Sequence, residues 1–179
     1  IRNLLDEINN RISHDERVDL MAHVSGENLA SLSSIAGIPL PATGPFKVSG
    51  RLEGALKALR IEQADARLTS DDYQLTATGT VGNLNSLSDI ELETAVSGEN
   101  LINFGQLLDI PLPETGPYKI SGRIKGAYNA IQLEQADARC SFDDYRLSAT
   151  GAVGNLNTLG GMNLDVAVSG ENLVAFGQL

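Results

Sequence analysis

A chain of 179 residues with a formal charge of −10 and a pI near 4.5 is long enough to bury a core. It carries the wrong sign of charge for a nucleic-acid backbone or a broad anionic membrane surface, both of which are held through Lys and Arg. No run nears the roughly 18 apolar residues of a membrane helix and the start lacks the layout of a signal peptide, so any export or anchoring segment is expected to lie outside this chain.

Residues 1–16 carry Leu4, Leu5, Ile8 and Ile12 at spacings that suit a helix or a degenerate strand, and residues 1–23 read as the worn end of a repeat. From Val24 onward self-similarity dominates. VSGENL begins at Val24, Val96 and Val168, a spacing of 72 residues both times. PATGPFKVSGRLEGA from Pro41 returns as PETGPYKISGRIKGA from Pro113, and DDYQLTATGTVGNLNSL from Asp71 returns as DDYRLSATGAVGNLNTL from Asp143. About 41 of the 72 positions in 24–95 are identical in 96–167, far beyond chance. The organisation expected is unit one at 24–95, unit two at 96–167 and the start of a truncated third at 168–179.

Each unit opens with a three-residue apolar spacing: Leu29, Leu32 and Ile35, then Leu101, Phe104 and Leu107, then Leu173, Phe176 and Leu179. That spacing predicts one short helix per repeat, with Asn28, Asn100 and Asn172 as N-caps and Pro39 and Pro111 as stops. Four strands follow, in which apolar residues alternate with polar ones and so share one face. The first carries Phe46, Val48 and Leu52, matched by Tyr118, Ile120 and Ile124. The second carries Leu59, Ile61 and Leu68, matched by Ile131, Leu133 and Cys140. Its alternation slips between Leu133 and Ala136, which predicts a bulge at Glu134 and Gln135. The third carries Leu75, Ala77 and Val81, with Leu147 and Val153 in the copy. The fourth carries Ile90, Leu92 and Val96, with Leu164 and Val168 in the copy. Asp71 and Asp72, like Asp143 and Asp144, mark tight turns, and short turns join antiparallel neighbours. The fold class expected is therefore mainly β: tandem 72-residue repeats forming a curved, largely antiparallel sheet, groove-like or taco-like.

The two copies keep the class of the apolar face but not the charge of the other, since Glu53 becomes Lys125 and Gln74 becomes Arg146. Function is therefore expected on the apolar face. A strand of about eight residues spans roughly 27 Å, and four strands add roughly 19 Å of width per unit, enough for extended acyl chains. At about 0.8 kcal/mol per methylene, taking a two-chain lipid through water costs roughly 20 kcal/mol or more, a barrier that an apolar trough removes. The alternatives are a structural or protein-interaction module whose apolar face closes into a core, and a carbohydrate-binding repeat, which needs more surface rings than four Phe, four Tyr and no Trp supply.

Enzyme chemistry finds little support, and no cofactor or metal is expected. His14 and His23 are the only histidines and lack partners at metal-ligand spacing; His23 belongs on the polar face. The Asp71–Asp72 pair lacks the further oxygen ligands of a calcium loop, and GRLEGA and GRIKGA do not open a helix as a nucleotide cradle does. Cys140, the single cysteine, matches Leu68 and reads as a small hydrophobe rather than a reactive thiol.

The segment that ends in GIPLPATGPFKVSGRLEG, followed by DDYQLTATGTVG and VSGENL, resembles the AsmA family of Gram-negative envelope proteins over nearly all of residues 17–179. The resemblance implies an inner-membrane anchor outside this chain, a periplasmic location, and a β-groove that carries phospholipid toward the outer membrane or influences its assembly. Read as an excerpt of a longer array, the chain is expected to expose strand edges at both ends that invite edge-to-edge self-association.

Overall fold

The computed structural model describes residues 17–170 apart from 37–39, 41, 56–57, 109–111, 143 and 159. The expected helix at Leu173 to Leu179, the proline stops at Pro39 and Pro111, Asp143 and the segment 1–16 lie outside the described residues. β1 (Val18–Gly26) leads into a 3-10 turn (Leu29–Leu32) and one α-helical turn, α1 (Ser33–Ala36). β2 (Phe46–Gly54), β3 (Arg60–Thr69), β4 (Tyr73–Asn83) and β5 (Ser88–Gly98) follow. After α2 (Leu101–Leu108) come β6 (Tyr118–Ala127), β7 (Ala130–Phe142), β8 (Tyr145–Asn155) and β9 (Gly160–Gly170). The strands form one nine-stranded sheet in chain order, and every neighbouring pair is antiparallel.

Turn chemistry sets this order. Between β4 and β5 the Asn83 side-chain oxygen accepts from the amides of Asn85 at 3.0 Å and Ser86 at 3.1 Å. Asn155 does the same for Asn157 at 2.9 Å and Thr158 at 3.2 Å between β8 and β9; both are Asx turns that reverse the chain in a few residues. Between β3 and β4 the Ser70 amide donates to the Tyr73 carbonyl at 2.9 Å, around Asp71 and Asp72.

The helical excursions are clamped at both ends. Asn28 Oδ1 accepts from Ala30 N at 2.9 Å and Thr43 N at 3.2 Å, while Thr43 Oγ1 accepts from Leu29 N at 3.2 Å. Asn100 and Thr115 repeat the clamp around α2, each bond at 3.1 Å. The Asn therefore caps the helix and also holds the returning loop, which explains the Thr of PATGP and PETGP.

The register shifts where the alternation slips, between Leu133 and Ala136 on β7 and between Ile61 and Ala64 on β3. Gln135 and Gln63 take up the extra residue at φ 52 and φ 54.

The sheet has one layer. Among the described residues each strand makes more than glancing contact only with its hydrogen-bonded neighbours. Among the described residues eight apolar side chains are buried, Phe46 and Tyr118 most deeply at 3% and 4% exposure, and none is below 2%. The accessible surface is 11883 Å², against about 8,400 Å² for a compact monomer of this mass. A chain closed on its own core would expose less.

Candidate functional site: one open apolar face

Residues directly opposite one another in a ladder share a face, so the register shows how the apolar side chains are ordered. One row runs Phe46, Leu68, Leu75, Val96, Ile120, Ala138, Ala149 and Val166, from β2 to β9 without a polar residue. A second joins Leu92, Ile124, Leu133, Val153 and Met162. A third joins Leu20, Leu52, Ile61, Val81 and Ile90, with Ile131 beyond it across Gly126. A fourth joins Tyr73, Gly98, Tyr118, Cys140, Leu147 and Val168. Val48 and Ala77 lie with Ala66 between these rows, Leu164 stands opposite Gly151, and Leu59 sits half-buried just ahead of β3, its carbonyl accepting from Leu84 N at 2.8 Å. The structure thus brings together on one side of the sheet the strand residues expected there.

Val18, Leu20, Ala22 and Tyr73 belong to the same face and were not among the expected lining residues. Val18 and Tyr73 are buried. The signal was the alternation Val18, Leu20, Ala22, Val24; it is blurred by Met21, 55% exposed on the opposite face across from Arg51. Thr94 is the polar intruder among these rows, and its hydroxyl is satisfied by donating to the Gly122 carbonyl at 3.0 Å.

Exposure is graded across the face. The central strands are buried or half-buried, whereas Val24 on β1 and Met162, Leu164 and Val166 on β9 are 38%, 58%, 37% and 60% exposed. Both end strands are sheet edges.

One end of the face is roofed by α2. Phe104 lies 6.1 Å from the Tyr118 ring in a tilted contact, and Asn103 Nδ2 donates to Asp72 Oδ1 at 3.0 Å, tying the helix to the β3–β4 turn. Tyr118 lies over Gly98, where a Cβ would come within 2.9 Å of the ring; glycine lets the ring lie flat on the ladder. The Tyr118 hydroxyl is buried with no hydrogen-bond partner. Its counterpart Phe46 lies over Gly26 with no hydroxyl at all. Tyr118→Phe is therefore expected to raise stability by about 1 kcal/mol, the desolvation penalty of an unmet hydroxyl, read as a higher urea midpoint with unchanged slope.

Burial first, then the charges around it, holds the Tyr118 phenol above its ordinary value near 10, and burial followed by Asp72 does the same for Tyr73. The unfolded chain then gives up these protons first. Stability from the two phenols is fully present below pH about 10 and is lost as pH rises through their folded values. Alkaline titration of the midpoint should show that fall, and a smaller one in Tyr118→Phe. Cys140 is half-buried, and burial pushes its thiol up, away from the reactive thiolate.

The opposite face is polar and internally paired. Arg51 bridges Asp19 at 2.7 Å and Glu53 at 3.0 Å, and Arg60 bridges Glu53 at 2.8 Å. In the second copy Arg123 meets Glu93 at 2.6 Å, and Lys125 meets Glu134 at 3.0 Å. The exchange of Glu53 for Lys125 is therefore matched by the loss of Arg60, whose place is taken by Gln132. The pairing survives while its signs change. Exposed pairs of this kind contribute roughly 0–1 kcal/mol each. His23 is exposed on this face opposite Ser49. Among the described residues, no group of three or more His, Cys, Asp or Glu is placed to hold a metal ion, and no helix is long and apolar enough to cross a membrane. No protein-family model, curated protein or solved structure matches the chain.

Proposed function

We propose that this chain is a section of a non-enzymatic lipid carrier: an array of 72-residue β units whose apolar face curves into a groove for the acyl chains of phospholipid. The observation that carries this reading is the row from Phe46 to Val166, continuous across eight strands on a face that no second layer covers among the described residues. Eleven-residue strands such as β4 and β5 reach about 36 Å, and nine strands stack to about 38 Å, so a phospholipid tail has room along either direction. Exposed aliphatic surface of this extent marks a binding surface rather than an ordinary exterior.

The array reading is supported by backbone detail as well as by the sequence repeat. The left-handed residues Gln63 and Gln135, and the glycines Gly54 with Gly126 and Gly79 with Gly151, recur 72 positions apart with φ values within a few degrees. The resemblance to the AsmA family points the same way and would place the whole protein in the periplasm, anchored to the inner membrane by a segment outside this chain. The free edges of β1 and β9 are then where neighbouring units, or a second copy of an isolated section, would add strands.

Native mass spectrometry of the purified chain with organic extraction tests the reading. Phospholipid at near-stoichiometric occupancy is expected. A chain that arrives lipid-free, takes up no phospholipid from mixed micelles and leaves an apolar-surface dye dark would have a closed core, and the carrier reading would be abandoned.

A further inference from the structure

The polar face carries its own concavity. A hollow of 630 Å³ lies across β6 to β9 near the start of β6 and β8 and the end of β7 and β9, and Tyr118, Cys140 and Leu147 are among its lining residues. Its lining includes the long cationic side chains Lys119, Arg139 and Arg146 and the short ones Ser148, Thr150, Ala167 and Ser169. The register produces this shape: Lys119, Arg139, Ser148 and Ala167 form one row, and Ser141, Arg146 and Ser169 form the next. Long cationic side chains therefore bracket a patch that short ones leave low.

Arg139 is engaged through Nε and Nη2 with Asp137, at 3.0 and 2.8 Å. That bond, with the charge of Lys119 as a lesser contribution, holds the Asp137 carboxyl below the usual carboxylate range. Lys119 and Arg146 have no carboxylate within 4.0 Å among the described residues. The hollow thus holds three cations and one anion in a chain of net charge −10, with Asp165 opposite Thr150 beyond its rim. A smaller hollow of 340 Å³ across β1 to β3 is lined by Lys47, Asp65 and Arg67 together with His23, Ser25 and Ser49. Lys47, Asp65 and Arg67 precede Lys119, Asp137 and Arg139 by 72 positions. Glu53 and Lys125 exchange charge between the copies, whereas this trio is kept in both, and in both it lines a hollow.

We propose that the larger hollow binds a phosphate group, with Lys119 and Arg146 supplying charge, Asp137 orienting Arg139, and the Ser148, Thr150 and Ser169 hydroxyls donating to the remaining oxygens. Two cations that meet no carboxylate among the described residues, beside several hydroxyl donors, match a compact, multiply charged oxyanion, and the volume admits a phosphate with a modest substituent. The charged and hydroxyl groups of this site lie on the polar side of the sheet, away from the acyl groove.

Inorganic pyrophosphate titrated into the full chain at low ionic strength and followed by amide NMR is the test. Saturable shifts confined to the neighbourhood of Ser148, Thr150 and Ser169 are expected, weakening as salt rises. Arg146→Gln, which installs the residue found at Gln74 in the other copy, should lower affinity about tenfold, the effect of one charge-assisted bond. Lys125→Gln, on the same face but outside the hollow, should leave it unchanged. Absence of shifts at millimolar pyrophosphate, or equal weakening by the two variants, overturns the proposal. Sedimentation with phosphatidylglycerol vesicles separates the sources: binding that Arg146→Gln abolishes assigns a lipid-borne phosphate, whereas pyrophosphate binding without vesicle binding assigns a free one.

Discussion

Replacing Gly79 with alanine is expected to destabilise the sheet by about 3 kcal/mol, the sum of backbone strain and a steric clash that cannot relax. Gly79 holds φ at +148, a region that residues with a side chain rarely adopt. A Cβ there would run into the Glu91 carbonyl oxygen and lie 3.0 Å from Leu92 Cα, both backbone atoms of the paired strand, so neither retreats without breaking the β4–β5 ladder. Gly151 repeats the situation at φ +147 against Asn163 and Leu164. The two sites are far apart in the sheet, so the double variant should lose the sum of the single losses. Gly160→Ala is the contrast: its nearest atom is the Thr158 hydroxyl at 3.1 Å, and a loss below about 0.5 kcal/mol is expected. Urea unfolding of the four variants checks this, and a Gly79→Ala loss under 1 kcal/mol would contradict the geometry. Gly79 stands opposite Ala64, just past the Gln63 bulge; a bulge and a glycine side by side are the devices by which sheets bend.

Ile120→Glu is expected to reduce lipid loading by more than tenfold while leaving the sheet intact. Ile120 lies in the longest apolar row between Val96 and Ala138 and is only half-buried. A carboxylate there can tilt to water, at a folding loss of about 1–2 kcal/mol. An acyl chain lying along the row has no such escape, because it would have to strip that charge of its water. Val96 is a poorer site for the test: it is 6% exposed, and a charge there would unfold the chain rather than empty the face. Gln132→Glu, exposed on the polar side across from Lys125, adds the same charge and should load as the parent does. Native mass spectra of the three proteins with a circular-dichroism check decide the matter; an Ile120→Glu protein that carries parental amounts of lipid ends the carrier proposal.

The strands, their antiparallel order and the face each apolar residue takes were legible in the linear chain, because alternation and turn chemistry act over a few residues. Phe46, Val48 and Leu52 can only point one way once the strand forms, and Asn83 and Asn155 reverse the chain wherever they occur. The bulge at Gln135 was legible for the same reason, as a break in parity between Leu133 and Ala136. Val18 is hidden by Met21, which blurs the parity of its strand, whereas the position of Tyr73 is legible in the copy, where Tyr145 opens the alternation Tyr145, Leu147, Ala149 and Val153. On the polar face a change of charge between copies leaves the pairing in place, since Lys125 finds Glu134 as Glu53 finds Arg60, and Lys47 and Lys119 keep their sign beside hollows.

Local alternation determines which side of a strand is apolar, and that much belonged to the sequence of this protein alone. Whether that side is buried against another layer, which strands form the edges, where the orphaned Tyr118 hydroxyl ends up and where small side chains open a hollow among cations were decided by tertiary structure. Each depends on residues brought together across strands 15 to 30 positions apart in the chain, such as Tyr118 with Cys140 or Arg123 with Glu93. A period of two carries no record of what lies above the face it creates.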